Sequence, residues 1–330
     1  MNKEAAKSGA PTRDKIFDFL ATYGSIVGMF FVLVIFQMIN KNFMKPGNIV
    51  GVINSSTLLV IMSLAMMMVM SVRAIDLSVA QVADAASVVA AMLILRGQPF
   101  WLAILVALGV GLLIGMINCV LISYLGVPAI IGTLGMMFVI RSFELTLTNG
   151  AQPQILFTLP PRKVASFFFI GQGSLGPVSI LIILCTIIVV IMYFAKERSV
   201  MGRHMEAVQG NVRSAYLSSI NIRRVFGSAF VISSFLAAVA GVMLVSRSGN
   251  AVPRGVETYL TDCFVAVYIG TLMSREKKFN VIGTVIGALF VGFLSNFFTL
   301  MGLGAAYKSL FNGIFIILAV ALSALQRKKQ

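Results

Sequence analysis

Long, uninterrupted apolar runs dominate the chain, and polar residues gather between them. The runs fall at 19–39, 50–72, 77–95, 100–125, 128–148, 177–195, 225–246, 259–273, 280–300 and 307–325. A bilayer core of roughly 30 Å takes about 20 apolar residues as a helix. Lipid cannot satisfy the free backbone groups of an open strand. A closed barrel needs short alternating segments, and these runs are continuous. The pattern predicts an all-α integral membrane protein, a polytopic bundle of about ten transmembrane helices forming one domain over 1–330. The eighth run is short. The first is too long for a cleavable leader and reads as a retained span. Five spans per half set the second half inverted relative to the first, a common transporter plan. No sequence repeat marks that plan, which rests on counting.

Composition agrees. Only 11% of the 330 residues are charged and 58% are hydrophobic, against about a quarter and about half in soluble domains. So little charge cannot cover a soluble surface. The net charge is nevertheless +15. Its lysines and arginines lie in short loops and tails with no aromatic-rich basic module. They therefore read as topogenic residues set against membrane lipid, and no nucleic acid is expected. Seventeen lie on one side of a ten-span chain, from Lys3 to Lys329, and eight on the other, with Arg141 inside a span. That bias places both termini in the cytoplasm and the 149–176 connection outside. Pro153, Pro160, Pro161 and Phe167 to Phe169 suggest that this connection lies along the membrane surface, as an interfacial anchor or a dock for an outside receptor.

Several chemistries are missing. Cys119, Cys185 and Cys263 match no metal spacing, and His204 is the single histidine. No Gly-x-x-x-x-Gly-Lys-Ser/Thr loop occurs; the nearest echo, 302–309, has Tyr307 where the second glycine must stand. The chain cannot bind ATP by that route. No catalytic, metal or cofactor site is expected.

Two kinds of polar feature remain. One is the connection at 199–224, punctuated by Gly202, Gly210 and Asn211 as turns, with short helix-like pieces carrying Ala207, Ala215, Leu217 and Ile220. A short polar–apolar helix of this kind docks in a partner's groove; a solvated connector is the plainer reading. The other is charge within the spans, which is costly unless it has a polar task. Asp84 sits in the third span, as a pathway residue or as a structural acid held by Ser87 or a neighbouring helix. Arg141 and Glu144 form an i,i+3 pair in the fifth, open to pathway lining or internal pairing. Asp76 and Ser78 are placed to cap the third span, Ser78 with Gln81 as a capping box, and Asp76 is also open to solute contact.

At the 199–224 connection the chain resembles the permease subunits of ribose- and autoinducer-type ATP-binding-cassette (ABC) importers. That family runs Gly-Arg, Ala-Val/Ile-Gly-Gly-Asn, Ala-Ala and Ser-Gly-Ile-Asn. This chain keeps Gly202-Arg203, Ala207-Val208, Gly210-Asn211, Ala215, Leu217-Ser218 and Ile220-Asn221, and departs at Gln209, Ser214 and Ser219. The likeness extends to Ala74 through Val79, to Val127-Pro128 with Thr133-Leu134-Gly135 and Arg141, to Thr148-Asn149-Gly150, and to 259–271, where Asp262 is kept. At Asp84 the family favours a small or apolar residue. The 274–279 loop departs, and these departures suggest a diverged member.

The resemblance implies a permease subunit in the bacterial inner membrane moving a small polar solute such as a sugar. Its partners are cytoplasmic ABC ATPase subunits, a second permease subunit, identical or unlike, and an extracytoplasmic solute-binding protein. It makes 196–224 a cytoplasmic coupling loop carried by Gly202, Arg203, Gly210, Asn211, Ala215 and Ser218. Pathway candidates are Asp76, Ser78, Asp84, Thr133, Arg141, Glu144 and Asp262. Nucleosides and branched-chain amino acids stay open as solutes. A proton-coupled secondary transporter is the alternative mechanism, with Asp84, Glu144 and Asp262 as relay. A membrane enzyme is disfavoured by the missing catalytic cluster.

Overall fold

The computed structural model describes residues 27–273 and 278–327. Part of the first expected span, 19–26, lies outside them. So do Lys3, Lys7, Arg13, Lys15, Arg275, Lys277, Lys328 and Lys329, which contribute to the charge bias.

The apolar runs emerge as helices. In chain order they are α1 (Val27–Ile39), α2 (Pro46–Met70), α3 (Val79–Leu95), α4 (Phe100–Cys119), continued by a π turn (Val120–Tyr124), and α5 (Ala129–Leu147). Then come β1 (Gln154–Ile155), α6 (Pro161–Gln172), β2 (Ser174–Leu175), β3 (Val178–Ser179) and α7 (Ile180–Tyr193), with a π turn (Phe194–Arg198). Two short helices follow, α8 (Val200–Gly210) and α9 (Val212–Leu217). The chain ends with α10 (Ile222–Ser248), β4 (Asn250–Ala251), α11 (Glu257–Leu272), α12 (Val281–Leu300) and α13 (Ala305–Arg327). Among the described residues, six of the helical runs, those built on α2, α4, α5, α7, α10 and α12, are long and apolar enough to cross a membrane.

The 149–176 connection is more ordered than a surface loop. β1 pairs antiparallel with β4, Gln154 opposite Ala251. Pro177 belongs to the β2–β3 hairpin, so the sixth span starts only at Ile180. Phe167, expected at the interface, is fully buried, and its carbonyl accepts from the Ser246 hydroxyl of α10 at 2.7 Å.

Two helices form the centre. About two-thirds of the apolar stretch is buried in both α2 and α10 (67% each), against 28% in the α4 run and 22% in α5 and in the α7 run. The short α3 is also largely buried. At 17 residues it is about 25 Å long, less than a bilayer core. The α10–α3 crossing is close because Gly241 has no Cβ; one added there would collide with the Ala83 carbonyl oxygen.

Packing repeats with an offset of five spans. α3 packs on α10 as α11 packs on α2; α10 packs on α4 as α2 packs on α12. Likewise α3 packs on α4 and α5, as α11 packs on α12 and α13. In both halves a long helix breaks before a short one, α2 before α3 and α10 before α11. Both breaks carry an arginine in the left-handed region, Arg73 at φ 60° and Arg254 at φ 65°. Each is followed three residues on by an acid, Asp76 and Glu257. Irregular backbone is tolerated at membrane depth where protein covers it.

Candidate functional site

The α2–α3 break gathers three of the expected pathway residues. Asp76 is fully buried, and its Oδ1 accepts from the Ser78 amide at 2.8 Å and the Ser78 hydroxyl at 2.6 Å. Thr133 of α5 accepts from the Leu77 amide at 3.1 Å and donates to the Ala129 carbonyl at 2.8 Å. Asn118 of α4 donates to the Ser78 hydroxyl oxygen at 3.1 Å. The capping box does not form. Ser78 already has helical angles (φ −87°, ψ −9°) and makes no side-chain cap, because Asp76 closes an Asx-type turn two residues earlier and takes the Ser78 hydroxyl for itself. Asn118 was missed by the sequence reading, although an amide inside an apolar run is a polar residue needing a task.

A second group lies where the α10–α11 break crosses α3. Asp84 is buried, and its Oδ1 and Oδ2 accept from the Val256 amide at 3.1 and 3.3 Å. Ser87 does not hold the carboxylate; its hydroxyl donates to the Asp84 main-chain oxygen at 2.8 Å. Glu144 of α5 is buried within electrostatic reach of Asp84 and Glu257, beside the Arg254 backbone. The i,i+3 ion pair of Arg141 with Glu144 does not form. A bidentate pair forms instead between Arg254 and Glu257, at 2.8 and 3.1 Å. The sequence reading missed both of these residues, since they lie between apolar runs rather than inside one. Asp262 stands apart. Lys308 and Asn312 of α13 donate to it at 2.5 and 2.6 Å, so it ties α11 to α13.

The third site is the 196–224 segment. Ser199 caps α8 by accepting from the Gly202 amide at 3.1 Å. Gly202 is therefore not a turn residue. It lies in the first turn of α8, where a Cβ would collide with the Lys196 carbonyl. Gly210 ends α8, and Asn211 caps α9 by accepting from the Arg213 and Ser214 amides at 2.9 and 3.1 Å. Arg203 is exposed, as is Ser218, whose hydroxyl donates to the Ser214 carbonyl at 3.0 Å. Ala215 does not face outward as expected; it is buried against the chain itself. The most exposed apolar residues of α9 are Tyr216 and Leu217, 69% and 74% exposed. Two further contacts hold α8. Glu206 lies 3.6 Å from the enclosed Lys196 ammonium and 3.5 Å from that of Lys278. Arg73 donates from Nε to the Gln209 carbonyl and from Nη2 to the Gly210 carbonyl at 2.7 Å.

Residues 48–320 match the family described as branched-chain amino acid transport system / permease component. The chain is 30% identical to the ribose import permease protein of Haemophilus influenzae over 92% of this chain and 93% of that relative. It is 26% identical to the L-arabinose ABC transporter permease protein of Azospirillum brasilense, over 99% of this chain and 94% of that relative. It is 27% identical to the fructose import permease protein of Bifidobacterium longum, over 84% of this chain and 78% of that relative. No solved structure matches the chain.

Proposed function

The chain belongs to this family of transport permease components, and from that premise we propose that it carries a sugar or sugar-like solute through the inner membrane as the membrane subunit of an ABC importer. The observation that carries the solute class is the near end-to-end match to ribose and arabinose permeases, joined by a fructose permease matched over 84% of this chain. The charged group of Asp84, Arg141, Glu144, Arg254 and Glu257 supplies polar side chains of the kind a hydroxyl-rich solute needs. Asp76, Ser78, Asn118 and Thr133 form a second polar point towards the cytoplasm.

Energy comes from separate ATPase subunits that dock on the 196–224 segment, with Tyr216 and Leu217 as the apolar contacts. A second permease subunit, identical or unlike, completes the path, and a solute-binding protein delivers from outside near α6 and the β2–β3 hairpin. Both termini are cytoplasmic in this reading, which the loop charge bias supports.

The test is uptake in proteoliposomes holding the permease with its ATPase and binding protein. Radiolabelled ribose, arabinose, fructose and leucine are supplied with and without internal ATP, and with an uncoupler. Sugar uptake that needs ATP and survives the uncoupler is expected. The buried acids Asp84 and Glu144 favour one competing reading, a proton-coupled carrier. Uptake driven by a proton gradient without ATP would establish that reading instead. ATP-driven uptake of leucine alone would move the solute to the amino acids.

A further inference from the structure

The two helix breaks are alike in backbone and differ in what their arginines do. Left-handed φ is unfavourable for a residue with a Cβ, and glycine or asparagine normally fills it. Both breaks hold arginine there, at φ 60° and 65°. Arg254 closes on its own break through Glu257. Arg73 has no such partner in its own break, because Asp76 is turned inward and engaged with Ser78. Arg73 instead reaches 137 residues along the chain to the last carbonyls of α8. Those carbonyls have no partner within their helix, and a guanidinium there matches the negative end of the helix dipole.

The contact joins two mechanical parts. Upstream, α8 is tied to Lys196 and Lys278 through Glu206, and it leads directly into α9 with its exposed Tyr216 and Leu217. Downstream, the backbone runs from Arg73 to Leu77, whose amide is held by Thr133 of α5, and to Ser78, held by Asn118 of α4. We infer that Arg73 is a positioning residue for transport: it carries displacement of α8 into the α2–α3 break, and so into α4 and α5. It touches no solute. The inference rests on the proposed docking of an ATPase at α8–α9.

Arg73→Gly removes the side chain and also relieves the left-handed backbone, so loss of folding is not expected from it. Arg73→Lys keeps a positive charge and its donors but loses the fixed fork of the guanidinium that spans the two carbonyls. Each variant is reconstituted with the ATPase and binding protein, and bound ATPase, ATP hydrolysis, solute uptake and melting temperature are read from one preparation. The Gly variant should keep its ATPase, its melting temperature and its hydrolysis. Solute moved per ATP should fall by about fivefold or more, the scale of losing two charge-assisted hydrogen bonds at a solvent edge. The Lys variant should recover part of that ratio. An unchanged ratio in the Gly variant would overturn the inference. Loss of the ATPase from the Gly complex would also overturn it, since Arg73 would then support docking and not transmission. A wild-type complex without ATP-dependent uptake would bring down the docking reading itself and this inference with it, a failure visible before any variant is made.

Discussion

Asp84 holds the α10–α11 break in place through the Val256 amide. Asp84→Asn keeps an oxygen for that amide, whereas Asp84→Ala leaves it buried without a partner, at a cost of about 1–3 kcal/mol. The Ala variant should melt lower in detergent and the Asn variant close to wild type. If the charge serves the solute path, uptake is lost in both. Normal uptake by the Asn variant would remove that charge from transport. Gly241 makes a different demand. An alanine Cβ would meet the Ala83 carbonyl, which is backbone and cannot step aside. Gly241→Ala should therefore destabilise by about 1–3 kcal/mol, read as a drop in melting temperature. Asp84 was legible in the sequence as a misplaced acid. Its partner was not, because a backbone amide 172 residues away leaves no mark in composition or spacing.

At the scale of elements, α8 and α9 separate two roles that small size alone had merged. Ala215 was expected to meet a partner; the fold buries it, and Leu217 beside the same turn faces out. Ala215→Glu forces a charge into the contact between the chain and its own α9, and it should lower the melting temperature as well as ATPase binding. Leu217→Asp changes only an exposed side chain. It should leave melting unchanged and release the ATPase on co-purification. Wild-type ATPase binding by the Leu217→Asp variant would move the docking surface elsewhere. The short helices were legible from their apolar residues Ala207, Ala215, Leu217 and Ile220, but their caps were not: Asn211, read as a turn, caps α9, and Ser199, Asn221 and Asn280 likewise accept from amides in the first turn that follows. Which face of a short amphipathic helix turns inward depends on what lies beneath it, and no local residue records that.

At the scale of the whole molecule, the offset of five spans in the packing accounts for the paired breaks. If each half has five spans, the second is inverted relative to the first, and the Arg73 and Arg254 breaks would fall towards opposite faces of the membrane. Reporter fusions at Gly150 and at the C-terminus test this arrangement. A fusion at Gly150 should report the outside and one at the C-terminus the cytoplasm. A C-terminal fusion reporting outside would leave an odd number of spans and dissolve the inverted repeat.

The sequence by itself determined the fold class, the order of the long apolar helices and the transport family, though not α6 within the 149–176 connection. Lipid enforces that outcome, because a long apolar run has helix as its one way to satisfy its backbone. Which helices form the core was left to the tertiary structure. The α4 run is more apolar than α2, yet about two-thirds of the α2 apolar stretch is buried and little more than a quarter of that of α4. In water, a core face announces itself by being apolar beside a polar face. In a membrane the lipid-facing surface is apolar too, so periodicity cannot separate the two. Polar residues kept their meaning, since each buried one needs a partner. The identity of those partners, the Val256 amide for Asp84 and the Leu77 amide for Thr133, was decided only when distant spans came together, as was the reach of the exposed Arg73 to the end of α8.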